Sequence, residues 1–170
     1  MNTLVSAPKA ETAKPVPGKY LAFVLGGESY AIGVMHVREI IRPLDVTPVP
    51  RMPAYIQGVV NLRGKVVAIF DLRIKFGLPM PESLDRACVI VVQAHSSSGA
   101  TTQIGLIVDT VEEVVALGAE QLDDTPSFGA SLGTEYLTGM ARIGSTVKML
   151  LNIDRILEDE SGPAAGSFGL

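Results

Sequence analysis

Hydrophobic and polar residues alternate in short blocks along most of the chain, which is the pattern of β-strands and not of long helices. Three pairs of blocks are separated by turn-forming residues, and each pair predicts a hairpin. "KYLAFVL" and "SYAIGV" flank "GGE", "IQGVVNL" and "KVVAIF" meet at Arg63-Gly64, and "RACVIVVQ" and "TTQIGLIVD" flank "AHSSSGA". Gly64 permits the tight turn because glycine adopts positive φ without strain. Many short strands with regular turns predict a mainly β fold built from small barrels.

Two stretches instead predict short helices. "DLRIKFG" follows a strand and ends at Gly77, and "NIDRILED" lies near the C-terminus. Glycine is common just past a helix end, where the left-handed conformation is favoured. Asp71 and Asn152 open these stretches, and their side-chain oxygens suit the free N–H groups of a first helical turn. We therefore predict both residues as N-caps.

The chain contains a weak internal repeat. Tyr55 aligns with Tyr136, 81 residues later, and without a gap Asp71 then meets Asn152. The order of strand, turn, strand and short helix therefore occurs twice. Two similar β lobes explain this pattern. Chance similarity between strands rich in valine and isoleucine is the alternative.

Composition at the two ends predicts the boundaries of the folded unit. Residues 1–18 combine Ala, Pro, Lys, Glu and Ser with little hydrophobic content, and we predict a flexible tail. Residues 159–170 predict a second flexible tail. The folded unit is expected at 19–158, with approximate lobes at 19–85 and 86–158.

Charge and hydropathy exclude several classes of partner. The 170 residues are 47% hydrophobic and 19% charged, with a formal net charge of −4. An acidic chain without a basic patch has no electrostatic footprint for nucleic acid or for an anionic membrane. Its apolar runs are too short to span a bilayer, and the N-terminus has no apolar signal segment. We therefore expect a cytoplasmic protein without direct membrane insertion, whose surplus apolar surface serves protein partners.

The sequence lacks the residue patterns of an enzyme. His36 and His95 are its two histidines, they are far apart, and neither has metal-ligand spacing from the single Cys88. Cys88 lies in an apolar strand and is predicted to be a buried thiol. No dinucleotide fingerprint, P-loop or GxSxG motif occurs. No catalytic, cofactor-binding or metal site is predicted; an enzyme on a barrel scaffold, which would need a concave pocket with clustered titratable groups, is the alternative.

The chain resembles the CheW family of chemotaxis coupling proteins across nearly the whole span 20–157, and four stretches carry this resemblance in the family's order. They are "YAIGVMHVREI", "PAYIQGVVNLRGKVVAIFDLRIKFG", "IGLIVDTVEEVV" and "TEYLTGMARIGSTVKMLLNIDRIL". The resemblance implies two intertwined five-stranded SH3-like β-barrel lobes around a shared hydrophobic core. It also implies a non-enzymatic adaptor without a cofactor. Such an adaptor joins the cytoplasmic tips of methyl-accepting chemoreceptors to the regulatory domain of the histidine kinase CheA.

The resemblance assigns seven positions to these two partners. Positions implicated in holding the kinase are matched by Val37, Glu39 and Gly58. Positions implicated in receptor contact are matched by Arg63, Gly105, Val111 and Val114. In this family the two surfaces adjoin, so the regions are better defined than the individual partner of each residue.

The resemblance further implies recruitment to receptor arrays at the inner membrane, and we expect the isolated protein to be monomeric. One alternative is a CheW-like adaptor of another chemosensory pathway, such as twitching motility, with different receptors. Another is a fragment of a kinase regulatory region. The tails at both ends and the lack of an ATP-binding motif favour a free-standing protein over that fragment.

Overall fold

The computed structural model describes residues 15–42, 45–96, 98–124 and 136–158. Within these ranges the chain forms eleven β-strands and two short α-helices. The strands are, in chain order, β1 (Gly18–Leu25), β2 (Glu28–Gly33), β3 (Val37–Ile41), β4 (Ile56–Leu62), β5 (Lys65–Asp71), β6 (Cys88–His95), β7 (Thr101–Val108), β8 (Thr110–Leu117), β9 (Leu122–Asp123), β10 (Leu137–Ile143) and β11 (Thr146–Leu151). The helices are α1 (Leu72–Phe76) and α2 (Ile153–Glu158).

The strands form two sheets. One is six-stranded, in the order β8-β1-β2-β11-β10-β9, and the other is five-stranded, in the order β3-β6-β7-β5-β4. Strand β9, the sixth of the larger sheet, is two residues long. Most neighbouring strands are antiparallel, but β2 with β11 and β5 with β7 are parallel. The prediction of a mainly β fold with a few short helices is confirmed.

The two sheets exchange hairpins. The hairpin β1–β2 from the first half of the chain joins strands β8–β11, and the hairpin β6–β7 from the second half joins β3–β5. The predicted boundary between residues 85 and 86 therefore does not separate the sheets. A split there would leave β2 and β5 without their parallel partners, and unpaired backbone N–H and C=O groups inside a fold are costly. The lobes are intertwined, as the resemblance implied.

The internal repeat is present in the structure. Strand β4 and strand β10 have the same bounds when shifted by 81 residues, and each carries a register shift at its second residue. Equivalent backbone bonds close both repeats: the N–H of Asp71 donates to Tyr55 O, and the N–H of Asn152 donates to Tyr136 O, each at 2.7 Å. Chance similarity would not reproduce these bonds, so the two copies are structural equivalents.

Both predicted N-caps are confirmed. The carboxylate of Asp71 accepts a hydrogen bond from the N–H of Arg73 at 3.0 Å, at the start of α1. Asn152 Oδ1 accepts from the N–H of Arg155 at 3.0 Å, at the start of α2. At the other end of α1, Gly77 has the left-handed conformation, with φ 69°. Each cap satisfies a backbone group that the first helical turn leaves without an intrahelical partner.

Replacing Asn152 by Ala is expected to lower the free energy of unfolding by about 1 kcal/mol, because the Arg155 N–H loses its acceptor. Urea denaturation monitored by circular dichroism measures this loss. Asn152→Asp is the control, since its carboxylate retains the cap. Equal losses in both variants would contradict the capping role.

The hydrophobic core is shared by the two sheets. Phe23, Leu25 and Ile32 from the larger sheet lie in one cluster with side chains from the smaller sheet and from α2. The largest of the remaining fully buried side chains in this cluster are Phe70, Leu72, Ile90, Ile104, Leu106, Ile153 and Ile156. Each such side chain contributes roughly 1.5–3 kcal/mol by leaving water. Neither sheet has this core by itself, which explains why the hairpins are exchanged.

The predicted N-terminal tail and the predicted burial of Cys88 are only partly matched by the structure. Residues 1–14 and 159–170 of the predicted tails lie outside the described residues. Residues 15–18 differ from the predicted tail, since Gly18 opens β1 and the backbone O of Val16 accepts from the Tyr20 hydroxyl at 2.6 Å. Cys88 is half-buried and not fully buried, because it is the first residue of β6.

Candidate functional site

The β4–β5 turn presents Arg63 to Glu39. Arg63 and Gly64 have φ values of 54° and 87°, the left-handed pair of a tight hairpin turn, and Asn61 Oδ1 accepts from the N–H of Gly64 at 2.8 Å. Arg63 Nη1 lies 2.5 Å from Glu39 Oε2 on β3. The Arg63 side chain is 75% exposed and that of Glu39 23% exposed. The structure thus joins two residues that the resemblance assigned to different partners.

Strand β3 is an outer strand of the smaller sheet. Its first residue, Val37, is half-buried against the shared core and lies opposite Val92 of β6. The β3–β6 register shifts between Val37 and Glu39, which is the position of a bulge. Ile40 is 44% exposed. Since successive strand residues point to opposite faces, this strand offers an exposed apolar side chain on the face opposite to Glu39.

Gly58 is buried, and its side-chain direction is occupied by backbone. Its φ is 145°, and a Cβ atom there would lie 2.2 Å from Thr47 O. Thr47 and Val59 exchange two backbone hydrogen bonds, each 2.9 Å, so the segment carrying Thr47 lies along the outer side of β4. The structure gives Gly58 a role in closing the smaller sheet, and a partner has no direct access to it.

Gly105 is also buried, in the middle of β7. A Cβ atom there would lie 2.7 Å from Ile69 Cδ1 and 2.8 Å from Val89 Cγ1. Ile69 and Val89 belong to a second hydrophobic cluster, which lies within the smaller sheet and also includes Val60. Gly105 can affect an outer surface only through these side chains.

Strand β8 is an outer strand of the larger sheet. Val111 lies opposite Phe23 and packs, half-buried, against the shared core. Val114 lies opposite Leu21, and 55% of its surface is exposed. Of the two valines matched to receptor contact, Val114 is thus the one a partner can cover.

A groove of about 530 Å³ lies elsewhere, beside the 3₁₀ turn Val34–His36. Its lining is largely apolar and includes Val16, Tyr20 and Met35. Val111 and Val114 are not among the residues that line it. This groove and the two valines are therefore separate features of the surface.

Sequence reasoning missed a buried polar cluster that links the two sheets. Arg73 donates to Asp71 through Nε at 2.9 Å and through Nη2 at 3.1 Å, and to Asp109 through Nη1 at 2.9 Å. The other carboxylate oxygen of Asp109 accepts from the N–H of Gly26 at 2.9 Å, in the β1–β2 turn. Arg73 follows β5, whereas Asp109 lies between β7 and β8. The Arg73 guanidinium therefore connects α1 to the residue that joins β7 and β8.

Arg73 has two acidic partners, Asp71 and Asp109, for its single positive charge. Burial of Arg73 alone disfavours the charged form, but the hydrogen bonds and negative charges of Asp71 and Asp109 outweigh it, so the pKa of Arg73 is raised. Its side chain is 3% exposed. Asp71 is thus both a helix cap and an ion-pair partner. The one sequence signal for this buried cluster was an acidic or basic residue placed directly after an apolar strand.

The described residues hold no group of three or more His, Cys, Asp or Glu side chains that could ligate a metal. No helix in the described part of the chain is long and apolar enough to cross a membrane.

Comparisons with known proteins agree with this fold. The family model of the CheW-like domain matches residues 19–161. The chemotaxis protein CheW of Klebsiella aerogenes is 38% identical over 142 residues, covering 84% of this chain and 82% of that protein. The CheW protein of Treponema pallidum is 31% identical over 144 residues, which cover 82% of each chain. The crystal structure of the scaffolding protein TtCheW from Thermoanaerobacter tengcongensis has the same fold, with a TM-score of 0.73 at 23% identity; the match covers 88% of this chain and 96% of that one. The chain therefore belongs to the CheW family of chemotaxis coupling proteins.

Proposed function

We propose that this protein is a non-catalytic adaptor that couples methyl-accepting chemoreceptors to the histidine kinase CheA. It acts in the cytoplasm, at receptor arrays of the inner membrane. The observation that carries the proposal is the placement of four of the seven candidate positions, Val37, Glu39, Val111 and Val114, on two outer strands that belong to different sheets. Strand β3 ends the five-stranded sheet and β8 ends the six-stranded one. Two separate surfaces are what a bridging protein needs.

The kinase surface is assigned to β3. Val37 and Glu39 lie on it, and Ile40, 44% exposed on the face opposite to Glu39, adds apolar contact area along this outer strand. Apolar contact combined with an Arg or Glu side chain at its margin is typical of protein interfaces. Gly58 supports this surface indirectly, since it holds the segment of Thr47 against β4.

The receptor surface is assigned to β8, with Val114 as its exposed contact. The cytoplasmic tip of a chemoreceptor is a helical hairpin, and an apolar helix face can pack on an exposed valine. Arg63 is the receptor candidate of the smaller sheet, and its ion pair with Glu39 is where the two surfaces would meet. A receptor contact that included both Arg63 and Val114 would span the two sheets.

An adaptor alters kinase activity only if it binds active and inactive arrangements of the complex with different affinity. The protein would therefore act by joining its partners in one geometry. Its rigid shared core suits this task, because relative movement of the two sheets would disturb close packing.

The proposal is tested by a pull-down from the native cell lysate with this protein as bait, followed by mass spectrometry. Recovery of both a histidine kinase and chemoreceptors is expected. The Glu39→Ala variant should selectively lose the kinase, and Arg63→Ala should selectively lose receptors. Recovery of neither class by the unaltered protein would overturn the proposal.

Replacing Arg63 by Ala is expected to weaken receptor binding and to leave the melting temperature nearly unchanged. The ion pair with Glu39 is largely exposed on the Arg63 side, and exposed pairs contribute at most about 1 kcal/mol to folding. Titration against a receptor fragment and thermal denaturation measure the two quantities. Arg63→Lys is the matched control, since it keeps the charge and loses the planar fork. A sharp fall in melting temperature, or unchanged receptor affinity, would contradict this assignment.

A CheW-like adaptor of another chemosensory pathway, such as twitching motility, is the alternative within the same family. The chemoreceptors recovered in the pull-down distinguish the two pathways.

A further inference from the structure

A second polar cluster lies on the six-stranded sheet, away from Arg73. Lys148 Nζ on β11 is 2.8 Å from Ser29 Oγ on β2 and 3.3 Å from Glu112 Oε1 on β8. The Ser29 hydroxyl donates to the same Glu112 oxygen at 3.0 Å. Three strands are thus joined by three side chains that contact one another. Lys148 is 9% exposed, and a nearly buried ammonium group needs such partners to remain charged at low cost.

The cluster holds β8 where its pairing is irregular. Leu21 pairs with Val114 and Phe23 pairs with Val111, so three steps along β8 match two steps along β1. The extra residue lies between Val111 and Val114, where Glu112 is located. A bulge bends its strand and redirects the side chains beside it. The direction in which Val114 points therefore depends on how this bulge is held.

Strand β8 is paired with a neighbouring strand on one side. Within the described residues β8 pairs with β1 on one side and ends the sheet on the other. The sheet order places β1 and β2 between β8 and β11, so the Glu112 side chain must reach across them to meet Lys148. An outer strand with a bulge and one paired side is prone to local opening. The contacts of Glu112 with Ser29 and Lys148 therefore hold β8 in addition to its pairing with β1.

We propose that Lys148 and Glu112 are positioning residues for the receptor surface: their contact, completed by Ser29, holds the β8 bulge so that Val114 is presented to the apolar helix face of a receptor tip. This inference rests on the proposed receptor role of Val114. Neither Lys148 nor Glu112 needs to touch the receptor. The position of β8 is thereby determined from β11, a strand near the C-terminal end of the folded unit.

The test compares Glu112→Ala and Lys148→Met with Glu113→Ala, which removes the neighbouring carboxylate of the same bulge. Amide hydrogen exchange is measured across β8, and affinity is measured for a soluble fragment of a chemoreceptor's cytoplasmic tip and for the CheA regulatory domain. Glu112→Ala and Lys148→Met are expected to speed exchange at residues 111–114 and to weaken receptor binding about tenfold, with kinase binding retained. Glu113→Ala should change neither. The double variant Glu112→Ala/Lys148→Met should bind no more weakly than either single variant.

The outcomes separate this inference from the proposed function. If Val114→Asp abolishes receptor binding while Glu112→Ala matches Glu113→Ala in both measurements, the positioning role is wrong and the receptor surface stands. If Val114→Asp has no effect on binding, the receptor assignment fails, and hydrogen exchange in Glu112→Ala still decides whether the cluster holds the bulge. If Lys148→Met folds poorly, Lys148→Arg is measured instead. Because this variant retains the cation, slow exchange at residues 111–114 and receptor binding close to that of the unaltered protein are expected. Additive losses in the double variant would overturn the proposal.

Discussion

Replacing Arg73 by Met is expected to lower the free energy of unfolding by about 3–5 kcal/mol, the usual loss when one partner of a buried ion pair is removed. Met fills similar volume, so the loss is electrostatic and not a packing defect. Asp71 and Asp109 would remain buried, with side chains 4% and 9% exposed, without the guanidinium that donates hydrogen bonds to both. Such a loss is a large share of the stability of a typical domain. Urea denaturation at neutral pH measures it.

The Arg73→Lys variant provides a check of the cause. A single ammonium retains the positive charge but cannot serve both carboxylates through a planar fork, so its loss of stability should be smaller than that of Arg73→Met. Equal losses in the two variants, or a loss in Arg73→Met below about 1 kcal/mol, would contradict the ion-pair account.

Replacing Gly58 by Ala is expected to destabilise the protein by about 3 kcal/mol or more, combining backbone strain with overpacking. The new Cβ would lie 2.2 Å from Thr47 O and 2.8 Å from Val46 Cγ1. The first neighbour is backbone and cannot move without breaking the two hydrogen bonds between Thr47 and Val59. The φ of 145° adds strain that an L-residue cannot avoid.

Gly27→Ala is the matched control for this second substitution. Gly27 also has positive φ, 83°, but no atom lies within 4 Å of its Cβ position, so the alanine there has the φ strain alone. Its expected loss is about 1–2 kcal/mol. Gly139, the repeat equivalent of Gly58, tests the crowding separately, since its Cβ would lie 2.4 Å from Asp123 O. Equal losses at Gly58 and Gly27 would contradict the close approach of Thr47.

This result also bears on how a kinase-binding defect at Gly58 should be interpreted. If Gly58→Ala unfolds the smaller sheet, the proposed kinase surface on β3 would be lost with it, without any contact between Gly58 and the kinase. Kinase affinity per folded molecule should then be close to that of the unaltered protein. A defect that persists in the folded fraction would instead place Gly58 near the interface itself.

Features that depend on neighbours in the sequence were predicted well. The hairpins, the turn at Arg63-Gly64 and the two N-caps follow from alternation, glycine and side-chain oxygen at known offsets, all within a few residues. The repeat was visible because equivalent local structures need equivalent residues at an offset of 81. The caps at Asp71 and Asn152 are the clearest case, since the same backbone bond to Tyr55 or Tyr136 accompanies each.

Features that depend on distant segments were not predicted. The contact of Arg73 with Asp109 joins residues 36 positions apart, and that of Lys148 with Ser29 joins residues 119 apart. The pairing of β2 with β11 is equally remote, and it is why the boundary near residue 85 did not match the sheets. Local pattern cannot say which of several apolar strands will pair, because every one of them is suited to the same core.

The class of fold, the local turns and caps, and the family follow from residue types at short or fixed spacing in the sequence. Which residues meet follows only from the folded chain: Glu39 with Arg63 at an outer surface, Gly58 and Gly105 in the interior, and the two polar clusters beside β8. Pairing between distant strands is set by burial of one shared core. Until that core forms, a charged side chain after an apolar strand has no identifiable partner.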